Sequence, residues 1–347
     1  MACVSKASKA GPSASDHCER QVERMSLWSV ADWMLDPSIV LSFDRTGFRR
    51  HARSFLKGDL DVDLTGRVCA VTGANSGIGF ETARSFAERG ATVWMLCRNP
   101  ERGEQARQQI ADLSGNSNVH LGIVDVSELE SVKDFLERHL FSQLDVLVHN
   151  AGVLLRRSDE NSAGVEMTLA TNLVGPMALT AGLLSALRSG SNSRIIWVSS
   201  GGMYSQKLSV ADLETPPGKF DGVKAYARTK RAMVVLSEQL SSKLKDSGIA
   251  VHCMHPGWAD TPGVKNSIPG FWRVTKAILR SPAEGADTVI WLGVSDPAQV
   301  ESGKFWFDRK PRSTHLLWGT REKETEREKL WNAMQSWANL PPDWWLD

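Results

Sequence analysis

Short apolar runs alternate along the chain with longer stretches whose hydrophobic positions recur every three to four residues, the helical period. The runs Val68 to Val71, Ala91 to Leu96, Val119 to Val124, Leu144 to Val148, Arg194 to Ser199, Ile249 to Met254 and Lys304 to Phe307 read as strands. Helices are predicted over Phe80 to Arg89, Glu101 to Leu113, Glu128 to Phe141, Gly164 to Leu187, Ala225 to Lys245 and Ala283 to Leu292. Near-continuous apolar strands separated by helices mean a parallel sheet covered on both faces. The pattern therefore predicts an α/β fold: a doubly wound, seven-stranded parallel sheet whose ligand site lies at the carboxyl ends of its strands.

The flanks have a different texture. Residues 1–60 read as an N-terminal arm, with Met1 to about Arg24 small, polar and disordered. From Met25 to Phe55 apolar residues such as Trp28, Trp33, Phe43 and Phe48 are interrupted by acids and by Arg49, Arg50 and Arg53. Such a segment either lies on a membrane surface or packs on its own domain or on a second subunit of an oligomer; its irregular spacing favours packing. Residues 61–310 form the main domain, and 311–347 a tail in which Leu330, Trp331, Met334, Trp337 and Leu340 mark a terminal helix with one apolar stripe.

Composition narrows the function. A formal net charge of +1 over 347 residues gives no field that would gather nucleic acid. Five cysteines, three of them inside strand-like runs, indicate a reduced, intracellular protein, expected in the cytoplasm, with organelle targeting through the acid-free first fifteen residues as the alternative. No Cys/His cluster has metal-ligand spacing, so no metal site is expected. The chain also lacks an uncharged apolar run of the ~20 residues that span a bilayer.

Between the first strand and first helix stands Thr72-Gly73-Ala74-Asn75-Ser76-Gly77-Ile78-Gly79. A pyrophosphate needs backbone N–H groups aimed at it with no Cβ in the way, and the first turn of a helix provides both. Gly73 would turn off the strand, Gly77 would admit the diphosphate, and Gly79 would allow close helix–strand packing.

Only two tyrosines exist, Tyr204 and Tyr226, and Lys230 follows the second by one helical turn. A nearby ammonium favours the phenolate, and lowering a phenol pKa by about two units takes about 2.7 kcal/mol. The strand ending in Ser199-Ser200 puts hydroxyls at the carboxyl edge, where a serine can hydrogen-bond a developing oxyanion. Asn150-Ala151-Gly152 ends the preceding strand at the same edge, and Asn172 lies in the helix between them, where a buried amide needs partners.

Taken together with Pro256-Gly257 and Thr261, these segments resemble the short-chain dehydrogenase/reductase family over about residues 64 to 310, within its retinol-dehydrogenase-like branch. The resemblance implies a Rossmann-type fold in which Tyr226 is the general acid/base and Lys230 holds the nicotinamide ribose and lowers the tyrosine pKa. It also implies that Ser200 polarises the substrate carbonyl and that Asn172 anchors a proton-relay water. Asn150, Ala151 and Gly152 then line the cofactor, Asp125 and Val126 follow strand three beside the adenine, and Thr261 reaches the carboxamide. Two departures stand out. His149 occupies the first position of the usual Asn-Asn-Ala-Gly, and the interval from Ser200 to Tyr226 is long, with Pro216-Pro217-Gly218 inside a loop expected at the substrate mouth.

Cofactor preference is read at the end of strand two, where NAD-selective relatives carry an acid for the ribose 2′-OH. Here Cys97 fills that place and Arg98 follows, which predicts NADP(H) in preference to NAD(H). The expected activity interconverts a carbonyl and an alcohol on a small substrate, with Trp258, Ile268, Phe271 and Trp272 suggesting a lipophilic one such as a retinoid, steroid or lipid aldehyde. The alternatives are a cofactor-binding scaffold without chemistry and a sugar-nucleotide epimerase or dehydratase, which shares Tyr-x-x-x-Lys.

Overall fold

The computed structural model describes residues 42–214, 217–296, 300–316 and 318–346. The disorder expected for the first residues, the arm up to residue 41 and Pro216 of the long interval lie outside them.

Helix α1 (Arg45–His51) precedes strand β1 (Val68–Thr72), which runs into α2 (Gly77–Glu88). Then follow β2 (Thr92–Cys97), α3 (Pro100–Ser114), β3 (Val119–Ile123), α4 (Leu129–Arg138) and β4 (Val146–His149). A helical stretch from Met167 ends in α5 (Gly175–Gly182) and a short turn of helix, Leu184–Ser189, before β5 (Arg194–Val198). The chain continues through α6 (Gly222–Lys243), β6 (Ala250–Met254), the short helices Pro262–Ser267 and Pro269–Thr275, and α7 (Pro282–Val294). It closes with β7 (Phe305–Phe307), β8 (Lys310–Arg312) and α8 (Glu324–Trp337).

The sheet order is β3-β2-β1-β4-β5-β6-β7-β8, with the first seven strands parallel. The eighth, unforeseen strand pairs antiparallel with β7. Asp308 and Arg309 join the two with φ of +49° and +58°. A two-residue hairpin turn needs that left-handed backbone and normally signals itself with Asn or Gly; Asp-Arg gives no such signal.

Alternation along each strand feeds two apolar layers. Cys69, Val71, Val93, Met95, Val148, Ile196 and Met254 face α2, α3 and α7. Ala70, Leu96, Leu147, Ile195, Trp197, Val251 and Phe305 face α4, α5, α6 and α8. Both faces are buried, as a parallel sheet requires. The tail helix α8 therefore belongs to the core, burying Leu330, Trp331 and Met334.

At the other end, α1 packs on the same body. Its Phe48 and the following Phe55 meet edge to face at 6.0 Å, and Arg309 stacks on Phe55 at 4.2 Å. Among the described residues no helix is long and apolar enough to cross a membrane.

Candidate active site

Strand order reverses between β1 and β4, so a crevice opens outside their carboxyl ends. The glycine turn lies there. Gly73 and Gly77 take φ of +66° and +58°, conformations that a side chain resists. A Cβ on Gly77 would stand 3.2 Å from the Thr261 methyl, so the turn and the loop after β6 face each other closely. Gly79 brings the helix start close to the strand ends: a Cβ there would lie 2.4 Å from Asn150 Nδ2 and 2.5 Å from the Gly73 carbonyl. It lets the helix start pack against the residues that follow β1 and β4.

Ser76 begins α2 without a side-chain cap, no acid sits in the first turn, and Phe80 N is the first amide to reach a carbonyl, that of Ser76 at 3.3 Å. The N–H groups of Gly77, Ile78 and Gly79 are thus left for an anion. The wall beside them is built by hydrogen bonds. Thr72 Oγ1 donates to Val148 O and accepts from Asn150 N and Ala151 N, each at 3.0 Å, while Asn150 Nδ2 donates to Thr72 O at 2.9 Å. Asn150 is therefore a brace of the cradle. His149, the departure from the usual motif, points away into the core, with Nε2 2.7 Å from Thr180 Oγ1 and its ring on Trp197. Thr180 spends its proton on Pro176 O, so His149 donates from Nε2 and is neutral; burial pushes its pKa down to about 3.

Lys230 and Asn172 meet beside Gly152, with Tyr226 next to Lys230 and Ser200 next to Tyr226. The Ser200 side chain is close enough to the Tyr226 phenol to pull its pKa down, and Lys230 Nζ lies 5.4 Å from the tyrosine ring centre. A Cβ on Gly152 would meet Asn172 Oδ1 at 3.2 Å and Lys230 Nζ at 3.4 Å. Ser199 is excluded from this group, because its Oγ donates to Lys230 O inside the core. Tyr204 is excluded too: it is buried and donates to Ser313 O at 2.9 Å.

Lys230 is buried and donates to Val198 O at 2.7 Å, with Met233 Sδ the next neighbour at 3.9 Å. An ammonium has three protons to place, so Lys230 retains donor capacity toward the crevice. Burial lowers its pKa to about 8. The tyrosine differs from expectation. Burial lifts its phenol to about 12 against the pull of Ser200, so the proximity of Lys230 does not bring it down in the free chain.

Asn172 sits in a widened π-helical turn, Ala170–Val174, inside the stretch expected as one regular helix. Its Oδ1 accepts from Val153 N at 2.9 Å, and its Nδ2 donates to Thr229 Oγ1 at 3.0 Å. Thr229 escaped the reading of the sequence; its place beside Lys230 on α6 was the only available signal.

Toward the far end of the crevice, Cys97 is buried; burial raises its thiol to about 11 against the pull of the Ala74 and Asn75 backbone. Asp125 holds the turn after β3, accepting from Ser127 N at 3.0 Å, and Val126 is buried with its carbonyl under Gly175. Arg98 is exposed, 3.6 Å from the Asp125 carboxylate. An exposed pair of this kind is worth about 0–1 kcal/mol and does not withhold the guanidinium from another anion.

The remaining expectations fall on the loop after β6. Pro256 O accepts from Arg280 at 3.4 Å, and Gly257 takes φ of +74°. Thr261 caps the next helix through Val264 N. Trp258, Phe271 and Trp272 are engaged in packing, with Trp272 Nε1 donating to Asp260 at 2.7 Å. The long interval after Ser200 differs from an open mouth loop in its first half, where Met203, Leu208 and Leu213 are buried. Overall, free amides at a helix start, a cradle that tolerates no Cβ and a buried lysine with spare protons fit a nicotinamide dinucleotide.

Known proteins agree. The family model described as short chain dehydrogenase matches residues 67–270. The chain is 41% identical over 319 residues to dehydrogenase/reductase SDR family member 12 of Bos taurus, covering 90% of this chain and 99% of that protein. It is 34% identical over 288 residues to retinol dehydrogenase 12 of Bos taurus, covering 81% of this chain and 90% of that one. Among solved structures, L-sorbose reductase from Gluconobacter frateurii, complexed with NADPH and L-sorbose, matches with a TM-score of 0.58 at 25% identity, over 71% of this chain and 96% of that chain. Sheet order, crevice and relatives lead to one conclusion: the chain belongs to the short-chain dehydrogenase/reductase family, near its member 12, and is an oxidoreductase that acts on CH–OH donors or their carbonyl counterparts with NAD(P).

Proposed function

We propose that the chain is an NADP(H)-dependent carbonyl reductase or alcohol dehydrogenase for a lipophilic substrate, with Tyr226 as its general acid/base. The observation that carries this reading is the convergence of the Ser200 hydroxyl, the Tyr226 phenol and the Lys230 ammonium beside the glycine cradle. The nicotinamide, when bound, supplies or takes the hydride. Tyr226, protonated at neutral pH, gives its proton to the carbonyl oxygen in the reductive direction. Ser200 donates to that oxygen as its negative charge grows. Lys230, charged up to about pH 8, favours the phenolate left behind, and its spare donors suit the hydroxyls of a ribose. Asn172 holds the Val153 backbone and the Lys230 helix at a fixed spacing.

Two observations support the finer choices. Cys97 offers no carboxylate to a ribose 2′-OH, while Arg98 presents a weakly paired guanidinium next to it, which suits a 2′-phosphate. Relatives named retinol dehydrogenase, together with the half-buried Leu154 and Leu155 just past Gly152, support an apolar substrate. A scaffold without chemistry has no use for a buried lysine aimed at a phenol, since burying such a group costs stability.

The test is NADPH and NADH consumption against a panel of apolar aldehydes and ketones. Wild type is expected to prefer NADPH. Tyr226→Phe should bind NADPH but lose turnover by about a hundredfold or more, the scale of general acid catalysis. Arg98→Ala should lose about tenfold in kcat/KM for NADPH only, equivalent to one charge-assisted contact. Retained turnover in the phenylalanine variant sinks the assignment of Tyr226, and equal use of both cofactors by wild type sinks the NADP preference.

A further inference from the structure

The loop carrying Pro256, Gly257 and Thr261 is stitched to parts of the chain that the proposed chemistry does not use. Arg280 is fully buried, and its guanidinium crosses the face of Gly257, where a Cβ would come within 2.3 Å of Nε. From there Nη1 and Nη2 reach both Asp308 oxygens at 2.6 and 2.8 Å, while Nη1 also donates to Pro256 O. Nε donates to Phe43 O and Asp44 O at 3.0 and 3.1 Å. Phe48 and Phe307 cover the guanidinium at 5.2 and 4.8 Å. Asp308 is shared with α1 through His51 Nδ1 at 2.6 Å, and these partners hold its backbone in the left-handed region. Burial alone would raise the Asp308 carboxyl, but His51 and Arg280 outweigh it and keep the pKa below the ordinary value.

Backbone bonds complete the seam: Trp258 N to Phe43 O, Arg280 N to Trp258 O and Arg45 N to Ile278 O, each 2.8 Å. Phe43 then extends the contact to the other side of the site. Its ring sits 4.2 Å from His255, and a Cβ on Gly201 would lie 2.5 Å from Cε2. One side chain thus abuts both the loop after β6 and the residue that follows Ser200.

We propose that Arg280, locked by Asp308 to the strap Phe43–His51, is a positioning residue that sets the Pro256–Thr261 loop over the cofactor crevice. The inference rests on the dinucleotide reading of that crevice. Lysine cannot replace the arginine, because one ammonium has neither the fork for Asp308 nor the reach to Phe43, Asp44 and Pro256 at once. The loop faces the glycine turn through Thr261, whereas Arg98 and Asp125 are held by β2 and β3. A slack loop should therefore weaken grip on the whole cofactor and spare its adenosine end.

The experiment measures dissociation constants of NADPH and of adenosine 2′,5′-bisphosphate for full-length wild type and Arg280→Lys. The variant is expected to weaken NADPH about tenfold while the bisphosphate changes less than about twofold, the scale of a misplaced binding loop. Equal losses for both ligands, or none for either, overturn the positioning role. Wild type that binds neither NADPH nor NADH overturns the dinucleotide reading itself, a distinct result. A second measurement needs no variant: NADPH should slow amide hydrogen exchange in 43–51 together with 256–261. Slowing in 256–261 alone would refute the strap.

Discussion

Burial acts on the two central residues in opposite senses. It lifts the Tyr226 phenol to about 12 and lowers the Lys230 ammonium to about 8, so the free chain holds a firmly protonated acid beside a weakened cation. The two tyrosines make this measurable, since Tyr204 is pushed up to about 12 as well. Alkaline titration of the free chain should show no tyrosinate near pH 10, the ordinary phenol value. Adding oxidised NADP brings a positive charge that favours phenolate, and one tyrosine should then ionise earlier, an effect expected to vanish in Tyr226→Phe. Two tyrosines titrating normally without cofactor would refute the burial account. At this scale the sequence was informative where a residue type is scarce or its spacing is fixed by helix geometry, as with Tyr226 and Lys230. It was silent on side-chain direction: whether Ser199 or Ser200 faces the crevice, and that His149 turns inward to Thr180, depend on packing around β4 and β5.

Elements set those directions, and the end of β1 does so for the cradle. Thr72 supports two amides of the β4 terminus and one carbonyl with a single hydroxyl. Thr72→Val keeps the shape and strands both amides, at about 1–3 kcal/mol for each buried unpaired group. The expected outcome is a loss of about 2–6 kcal/mol, read as a lower denaturant midpoint at unchanged m, with weaker NADPH binding because Asn150 loses its brace. An unchanged midpoint would show that water replaces the hydroxyl. The strands and most helices were legible because apolar runs and helical periods are local. Two features were not. The turn that carries Asn172 opens into a π-helix just before Pro176, whose ring would clash with the carbonyl four residues back and which has no N–H to offer it. The expected helix ran straight through that proline. β8 was missed because its hairpin turns on Asp308 and Arg309, residues chosen by their partners rather than by turn propensity.

At the scale of the molecule, contacts distant in sequence decide what no local pattern reveals: His51 and Asp308 are 257 positions apart. The same burial governs acid stability. His149, His252 and His255 are each about 1% exposed and pushed down to about 3, principally by desolvation. A histidine whose folded pKa is depressed stays neutral in the native chain while the unfolded chain takes up a proton below about 6.5. The unfolded state then binds more protons, so stability falls as pH falls from 6.5 toward 3. From pH 7 to 5 each such histidine costs about 2 kcal/mol, or about 6 for the three, a large share of the 5–15 typical of a native protein. His255 adds a local consequence. Its Nδ1 accepts from Gly257 N at 3.0 Å, and a proton there would remove that bond from the loop facing the glycine turn. Denaturant midpoints should therefore drop steeply between pH 7 and 5, and His255→Asn, which cannot take up a proton, should flatten the slope by about one third. A midpoint independent of pH across that window would mean that these rings reach water or a partner when charged.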